Sequence, residues 1–282
     1  MKINVIFLIV STFYLILIGL NYLPKHELFS IYFINIGQGD ASIIDINKLG
    51  VVLIDGGPDS TVELNASKYL KFPVCNLYSV FLSHFHSDHY AGLTDIINRC
   101  STMTTFNDIS VYSYDSEHFK NLLLKNLNEI PSNTDLKNSY KGDVLEFPLV
   151  GTGYLRLYIL WPPKDPVLMA DENDRSLVIL LDYENFEVLF TGDVSGYILD
   201  DLATSEIWNE VQDGLDVYKV PHHGSPSGRA PKLLKVLKPV NCVISVGKNS
   251  YGHPSNLVLD DLATIGCNLY RTDVDGNVVF TP

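Results

Sequence analysis

The hydrophobic and polar positions along the chain change period several times, and the changes mark out elements. Residues 3–24 carry no charge, and 5–20 are almost continuously apolar, interrupted by Ser11, Thr12 and Gly19. Lys2 precedes the run; Lys25, His26 and Glu27 follow it. A helix spanning a bilayer needs ~20 such residues, so residues 1–28 are expected to form one N-terminal hydrophobic helix that anchors the chain in a membrane. A secretory signal segment is the rival reading, but no small-x-small cleavage site follows Gly19 and no cysteine stands ready for a lipid anchor. The positive-inside tendency places the N-terminus in the cytoplasm and the body, 29–282, outside it. If the segment is cleaved, the body is secreted.

Beyond residue 28 the pattern alternates between periods of two and of 3.6. Residues 29–36 alternate and are rich in β-branched and aromatic side chains, which predicts a strand. Short strands are expected at 41–46, 51–54 and 76–82, the second stopped by Asp55-Gly56-Gly57-Pro58 and the third running into Ser83 and His84. Helical spacing follows at 88–100 (Leu93, Ile96, Ile97) and at 116–128, then a hairpin at 144–147 and 154–160. The second half predicts strands at 176–181, 186–190, 217–220 and 242–246, with helices at 198–211, 231–237 and 256–265. Two closing strands, 268–271 and 277–280, are joined by the turn signal Asp275-Gly276. Strands interleaved with helices in both halves, with no Gly/Ser/Pro-rich linker, predict one α/β body of two mixed sheets packed face to face, helices outside.

The composition suits such a body: 282 residues, 46% hydrophobic and 19% charged, with no internal repeat. With 20 Lys+Arg against 33 Asp+Glu the net charge is −13, which argues against a broad basic surface for duplex DNA. A nucleic-acid substrate remains open, because bound metal ions supply local positive charge. The four cysteines (Cys75, Cys100, Cys242, Cys267) form no C-x-x-C pair, so a zinc ribbon is excluded; an even count outside the cytoplasm permits disulfides, but free buried thiols are expected for most of them.

Six of the eight histidines lie in three clusters at predicted strand ends. The densest is His84-Phe85-His86-Ser87-Asp88-His89, an H-x-H-x-D-H run directly after an apolar strand. Imidazoles with a carboxylate suit Zn²⁺ or another first-row cation. Helix capping by Asp88 would explain one of these residues; it does not explain four potential ligands in six positions. Asp193 ends another apolar strand after Thr191-Gly192, the adjacent pair His222-His223 ends a third, and His253 lies in Tyr251-Gly252-His253-Pro254.

The H-x-H-x-D-H run after a strand resembles the metal motif of the metallo-β-lactamase fold. Further blocks resemble the hydrolase domain of the ComEC family of DNA-uptake competence proteins, in the same order over roughly residues 30–282. They are 33–44 with Gly37-Gln38-Gly39-Asp40, Leu53-Ile54-Asp55-Gly56-Gly57, 173–178, 190–193, Pro221-His222-His223-Gly224-Ser225, 244–254, 270–273 and Asp275-Gly276.

The resemblance implies a four-layer αβ/βα sandwich with two divalent metal ions, Zn or Mn, in a cleft at one edge of both sheets, and no organic cofactor. It implies that His84 and His86 hold one ion, Asp88 and His89 the other with His223, and that Asp193 bridges. Asp88 or Asp193 would orient a metal-activated water, His222 would face the substrate phosphate as a general acid, and His253 would complete the site or touch substrate. The implied activity is hydrolysis of a phosphodiester, single-stranded DNA first. The alternatives are a cell-surface hydrolase of another ester or phosphoester, such as a decorated wall polymer, a lactone or a β-lactam, or a non-catalytic member of the fold. Where many members have a further metal-binding histidine, this chain has only His118, expected on a helix surface, and Asn173 stands in the ligand's place. Lys219, Lys248, Arg229, Arg175 and Arg271 are expected to form a local basic groove at the site edge.

Overall fold

The computed structural model describes residues 28–282 apart from 73, 102–107, 128, 152, 166–168, 210 and 212–213. The expected membrane helix over 1–28 thus lies outside the described residues, save for the last position. Among the described residues no helix is long and apolar enough to cross a membrane.

The strands of the first half are β1 (Phe29–Phe33), β2 (Ser42–Ile46), β3 (Gly50–Ile54), β4 (Leu77–Phe81), β5 (Ile109–Ser113) and β6 (Thr134–Asn138). Those of the second half are β7 (Val144–Pro148), β8 (Tyr154–Trp161), β9 (Val178–Tyr183), β10 (Phe186–Phe190), β11 (Val217–Lys219), β12 (Asn241–Ile244), β13 (Asn268–Arg271) and β14 (Val278–Phe280). Among the described residues they build two seven-stranded sheets, ordered β14-β1-β2-β3-β4-β5-β6 and β13-β12-β11-β10-β9-β8-β7. Both are mixed: β1 to β3 pair antiparallel and β3 to β6 parallel, while β7 to β10 pair antiparallel and β10 to β13 parallel.

Helices α1 (Thr61–Ala66), α2 (Ser87–Ser101) and α3 (Ser116–Asn126) cover the first sheet. Helices α4 (Gly196–Leu202), α5 (Pro231–Leu237) and α6 (Asn256–Ile265) cover the second, and a short α7 (Thr272–Asp275) follows β13. In β3, Val52 and Ile54 face the other sheet beside Phe33, Phe81 and Phe190, while Val51 and Leu53 face Leu93, Ile96 and Ile97 of α2. Both faces of the strand are therefore apolar, as a strand covered by helices on one side and a sheet on the other requires. Three apolar layers separate four layers of structure, the sandwich the resemblance implies.

Several expectations need correction. The closing strands are not a hairpin. β13 pairs parallel with β12 in the second sheet, β14 antiparallel with β1 in the first, and the chain crosses between sheets through α7. Asp275-Gly276 is the end of that helix, Gly276 serving as its cap at φ 73°; a Gly after a helix and a Gly in a hairpin look alike in sequence. The helix over 198–211 stops at Leu202, where the Asp201 carbonyl accepts from Thr204 Oγ1, and a 3-10 turn takes over at Glu206–Asn209. The cysteines are not free: Cys75 pairs with Cys100 and Cys242 with Cys267, each across 25 residues, with Cα–Cα separations of 5.5 and 5.9 Å.

Candidate metal centre

β1, β3, β4, β10, β11 and β12 end at the same edge of the sandwich, and their outgoing segments carry Asp40, Asp55, Ser83 to His89, Asp193, His222 with His223, and Ser245 onwards. Segments leaving the carboxyl ends of parallel strands line a crevice. Interlocked backbones narrow this one. The Gly56 amide donates to the His89 carbonyl at 2.7 Å, and a Cβ on Gly92 of α2 would collide with the Gly56 carbonyl oxygen. Likewise the Asp40 amide donates to the Asp88 carbonyl at 3.1 Å, and Gly39, at φ 138°, leaves no room for a Cβ against that oxygen. Glycine at these two positions lets α2 rest directly on both loops.

Five of the sequence-selected residues meet. His89 Nε2 lies 3.4 Å from Asp193 Oδ1, His223 Nε2 lies 3.4 Å from Asp193 Oδ2, and His223 Nε2 lies 3.3 Å from Asp88 Oδ2. Donor atoms within 4.8 Å of one another form the sets His84/His89/Asp193, Asp88/His89/His223, Asp40/Asp193/His223 and Asp40/Asp55/His89. His86, exposed at the mouth, joins through His84, with Nδ1 3.0 Å from His84 Nε2. His222 stands at the rim, Nε2 3.8 Å from Asp193 Oδ2 and Nδ1 3.0 Å from Ser227 Oγ. His253 is outside these sets, its ring 5.8 Å from that of His222.

Sequence reasoning assigned no role to Asp40, Asp55 or Glu172. Asp55 Oδ1 accepts from the Ser83 amide (2.7 Å), and Oδ2 accepts from Ser83 Oγ (2.8 Å) and His89 Nδ1 (2.8 Å). That leaves His89 Nε2 facing the cluster. His223 Nδ1 donates to the Ser245 carbonyl at 2.9 Å and faces Asp40 Oδ1 at 3.4 Å, while Asp40 is ion-paired to the buried Lys219. Glu172 Oε1 accepts from the Phe85 amide (2.9 Å) and from Tyr114 Oη (2.6 Å), tying the segment between His84 and His86 to a distant loop. The available signal was position: Asp40 stands two residues before a strand and Asp55 just beyond one, each next to glycine, as Asp193 is. Asp55, His222 and His223 also hold left-handed backbone, at φ 58°, 51° and 54°. That conformation costs a non-glycine residue about 1–2 kcal/mol and collects at functional sites.

The charges are out of balance. Burial pushes the Asp193 carboxyl up, but His223 and His89 outweigh it and hold Asp193 well below the usual carboxylate range. Burial pulls the His89 and His223 imidazoles down, but Asp193 with Asp55, and Asp193 with Asp40, hold both well above the ordinary histidine value. His84 goes the other way: burial, aided by His89, keeps it well below. The cluster holds the carboxylates Asp40, Asp55, Asp88 and Asp193 against one lysine, Lys219, which is paired to Asp40, so His89 and His223 favour their protonated form for want of other positive charge. His89 Nε2, His223 Nε2, Asp193 Oδ1 and Asp40 Oδ1 are buried without a hydrogen-bond partner, which for polar atoms this deep calls for an explanation. Nitrogen and carboxylate lone pairs converging on an electron-rich pocket fit a divalent first-row cation.

The expected basic groove does not form. Lys219 is 2% exposed and committed to Asp40. Arg175 pairs with Glu172 at 3.1 Å, Arg229 with Asp261 at 2.7 Å and Arg271 with Asp273 at 2.8 Å, while Lys248 is exposed. An acidic chain neutralises its few cations locally, which spacing alone does not reveal. His118 is exposed, as expected, with its ring 4.4 Å from Phe85. Asn173 opens a 3-10 turn, its Oδ1 buried without a partner, and Ser176 Oγ just beyond accepts from the Asp193 amide at 3.1 Å.

The family model described as metallo-beta-lactamase superfamily matches residues 34–248. ComE operon protein 3 of Bacillus subtilis is 26% identical over 267 residues, covering 88% of this chain and 32% of that protein. Recombination protein 2 of Haemophilus influenzae is 26% identical over 253 residues, covering 87% and 28%. The chain thus spans about a third of the length of these curated relatives. Among solved structures, unliganded yeast PDE1 matches with a TM-score of 0.57 at 10% identity, covering 90% of this chain and 99% of that one. The short form of human tRNase Z matches with a TM-score of 0.51 at 12% identity, covering 78% and 93%.

Proposed function

The chain belongs to the metallo-beta-lactamase superfamily, and from that premise we propose that it is a metal-dependent hydrolase that cleaves phosphodiesters, single-stranded DNA first among them. The observation that carries the reading is the set His84, Asp88, His89, Asp193 and His223, in which His89 Nε2, His223 Nε2 and Asp193 Oδ1 are buried with no hydrogen bond to satisfy them. Two divalent ions, Zn or Mn, suit it. His84 and His86 would hold one, Asp88, His89 and His223 the other, and Asp193 would serve both. Bound there, the ions would polarise the phosphoryl group and activate water.

The chain's own residues supply the rest. Asp55, held by Ser83, keeps the proton of His89 on Nδ1; the Ser245 carbonyl and Asp40 do the same for His223. Such outer partners orient ligands and raise their basicity. Asp88, a third exposed, reaches from the buried set toward solvent, where it would orient the attacking water. Burial holds the His222 ring below the ordinary histidine value, so at neutral pH it meets substrate as a neutral imidazole. An adjoining phosphate anion would raise its proton affinity and let it serve the leaving oxygen. His253 faces substrate beyond His222.

The competence-protein relatives and the PDE1 and tRNase Z neighbours favour a phosphodiester over other esters. The two disulfides and the apolar run over 3–24 favour a membrane-anchored chain whose catalytic body lies outside the cytoplasm. The test is Mn²⁺- or Zn²⁺-dependent degradation of labelled single-stranded DNA by the full chain in detergent. Asp88→Ala and Asp193→Ala should each lower turnover by on the order of 10² or more while leaving the body folded. Undiminished turnover in either variant, or an inert parent with both ions bound, overturns the reading.

A further inference from the structure

Aromatic rings lead outward from the buried cluster in an unbroken series. The His223 ring, 2% exposed, lies 6.1 Å from that of His222; His222 lies 5.8 Å from His253; and His253 lies 5.8 Å from Tyr251, the last two rings nearly parallel at 23°. Tyr251 ends the series at 74% exposure. A tyrosine this exposed is normally free to swing, but its loop is held. Asn249 Oδ1 accepts from the amides of both Tyr251 and His253 at 3.1 Å, and Asn249 Nδ2 donates to the carbonyls of Gly247 (2.9 Å) and His253 (2.8 Å). The loop's base is tied across the cleft, the Gly247 amide donating to Gln38 Oε1 at 3.4 Å. The structure therefore spends four side-chain hydrogen bonds on presenting one flat apolar ring to solvent beside its reactive edge.

We infer that Tyr251, backed by His253, is the platform on which one base of a single-stranded nucleic acid stacks while the adjoining phosphodiester lies over the buried donors. The inference rests on the phosphodiesterase reading and names the substrate class it serves. Charge points the same way. With Arg175, Arg229 and Arg271 paired and Lys219 buried, a chain of net charge −13 has little electrostatic hold on a polyanion. Every base has a π-face, so an aromatic platform binds without sequence preference, and where few free cations stand beside it the platform carries a larger share of the grip. Lys248, exposed three residues before Tyr251, is placed on the same loop to meet a flanking phosphate.

The experiment compares the full chain with Tyr251→Ala and Tyr251→Trp. Binding is read by fluorescence anisotropy of a labelled short oligodeoxythymidine and of the matching abasic strand; hydrolysis is read on that oligonucleotide and on methyl p-nitrophenyl phosphate, which has no base. Tyr251→Ala should weaken binding of the oligonucleotide about tenfold and raise KM correspondingly. Tyr251→Trp should restore both, and the abasic strand should bind the parent as weakly as the normal strand binds Tyr251→Ala. Turnover of the base-free ester should be unchanged. Equal binding by Tyr251→Ala and parent, or an equal loss on the abasic strand, overturns the inference. A parent that binds the strand through Tyr251 and its bases yet hydrolyses neither substrate removes the phosphodiesterase reading and leaves the platform standing; a parent that binds no strand removes the platform.

Discussion

Asp55→Asn tests how the centre is organised, because one carboxylate oxygen there decides which nitrogen of His89 carries the proton. In the native site Asp55 Oδ2 accepts from His89 Nδ1 at 2.8 Å, so once the ring gives up its second proton Nε2 is the nitrogen left to ligate, facing Asp193 Oδ1 at 3.4 Å. An Asn side chain that keeps the bond from the Ser83 amide, 2.7 Å from Oδ1, turns its NH₂ group toward His89 Nδ1. Nδ1 must then accept, the proton moves to Nε2, and a protonated Nε2 cannot ligate. Forcing the ring back to its metal-binding tautomer sets two donors against each other in a pocket where both residues are almost fully buried. Losing a hydrogen bond to a charged acceptor and burying an unpaired donor costs about 1.5–3 kcal/mol, or roughly 10- to 150-fold in metal affinity. Titration of the full chain with Zn²⁺ against a competing chelator reads that loss, and nitrogen-15 NMR of the imidazoles reads the tautomer. A folded variant that binds both ions as tightly as the parent, with His89 still protonated on Nδ1, would falsify the tautomer argument.

Acidity and crosslinks supply the other expectations. His89 and His223 have folded-state values raised well above the ordinary 6.5, burial notwithstanding, by Asp193 with Asp55 and Asp40. Their contribution to the metal-free fold is complete below about pH 6.5 and lost as pH rises through the raised values. His84 and His222, shifted down, act below that window. The melting temperature of chelator-treated protein should therefore fall from pH 6.5 toward 9, while the increment on adding Zn²⁺ or Mn²⁺ grows, since ligation needs neutral rings. A metal-free melting temperature that climbs over that interval contradicts the assignment. Each disulfide closes a loop of 25 residues, worth about 3 kcal/mol through the unfolded chain. Cys242→Ser with Cys267→Ser should accordingly melt roughly 10 °C lower; an unchanged melting curve, or free thiols titrating in the parent, removes that crosslink from the account.

Legibility followed distance along the chain. The strands and helices that pack on the sheet faces were visible because burial repeats every two residues in a strand and every 3.6 in a helix. β5, β6 and α1 escaped: β6 (Thr-Asp-Leu-Lys-Asn) is a half-exposed edge strand whose pattern no core enforces. His84, His86, Asp88 and His89 were readable because one strand end and one helix start bring four donors together within six residues.

What the sequence determined by itself, then, was the layered class of the fold and the local half of the metal centre, since both arise from side chains whose spacing is set by the geometry of a single element. Tertiary structure decided the other half. Asp55 reaches His89 across 34 residues, Lys219 is withdrawn from the surface by Asp40, and the cysteines find each other at a 25-residue separation. It also decided that β13 and β14 belong to different sheets. Such pairings depend on sheet order and register, which are chosen by how two whole apolar faces fit together, and no local period carries that information.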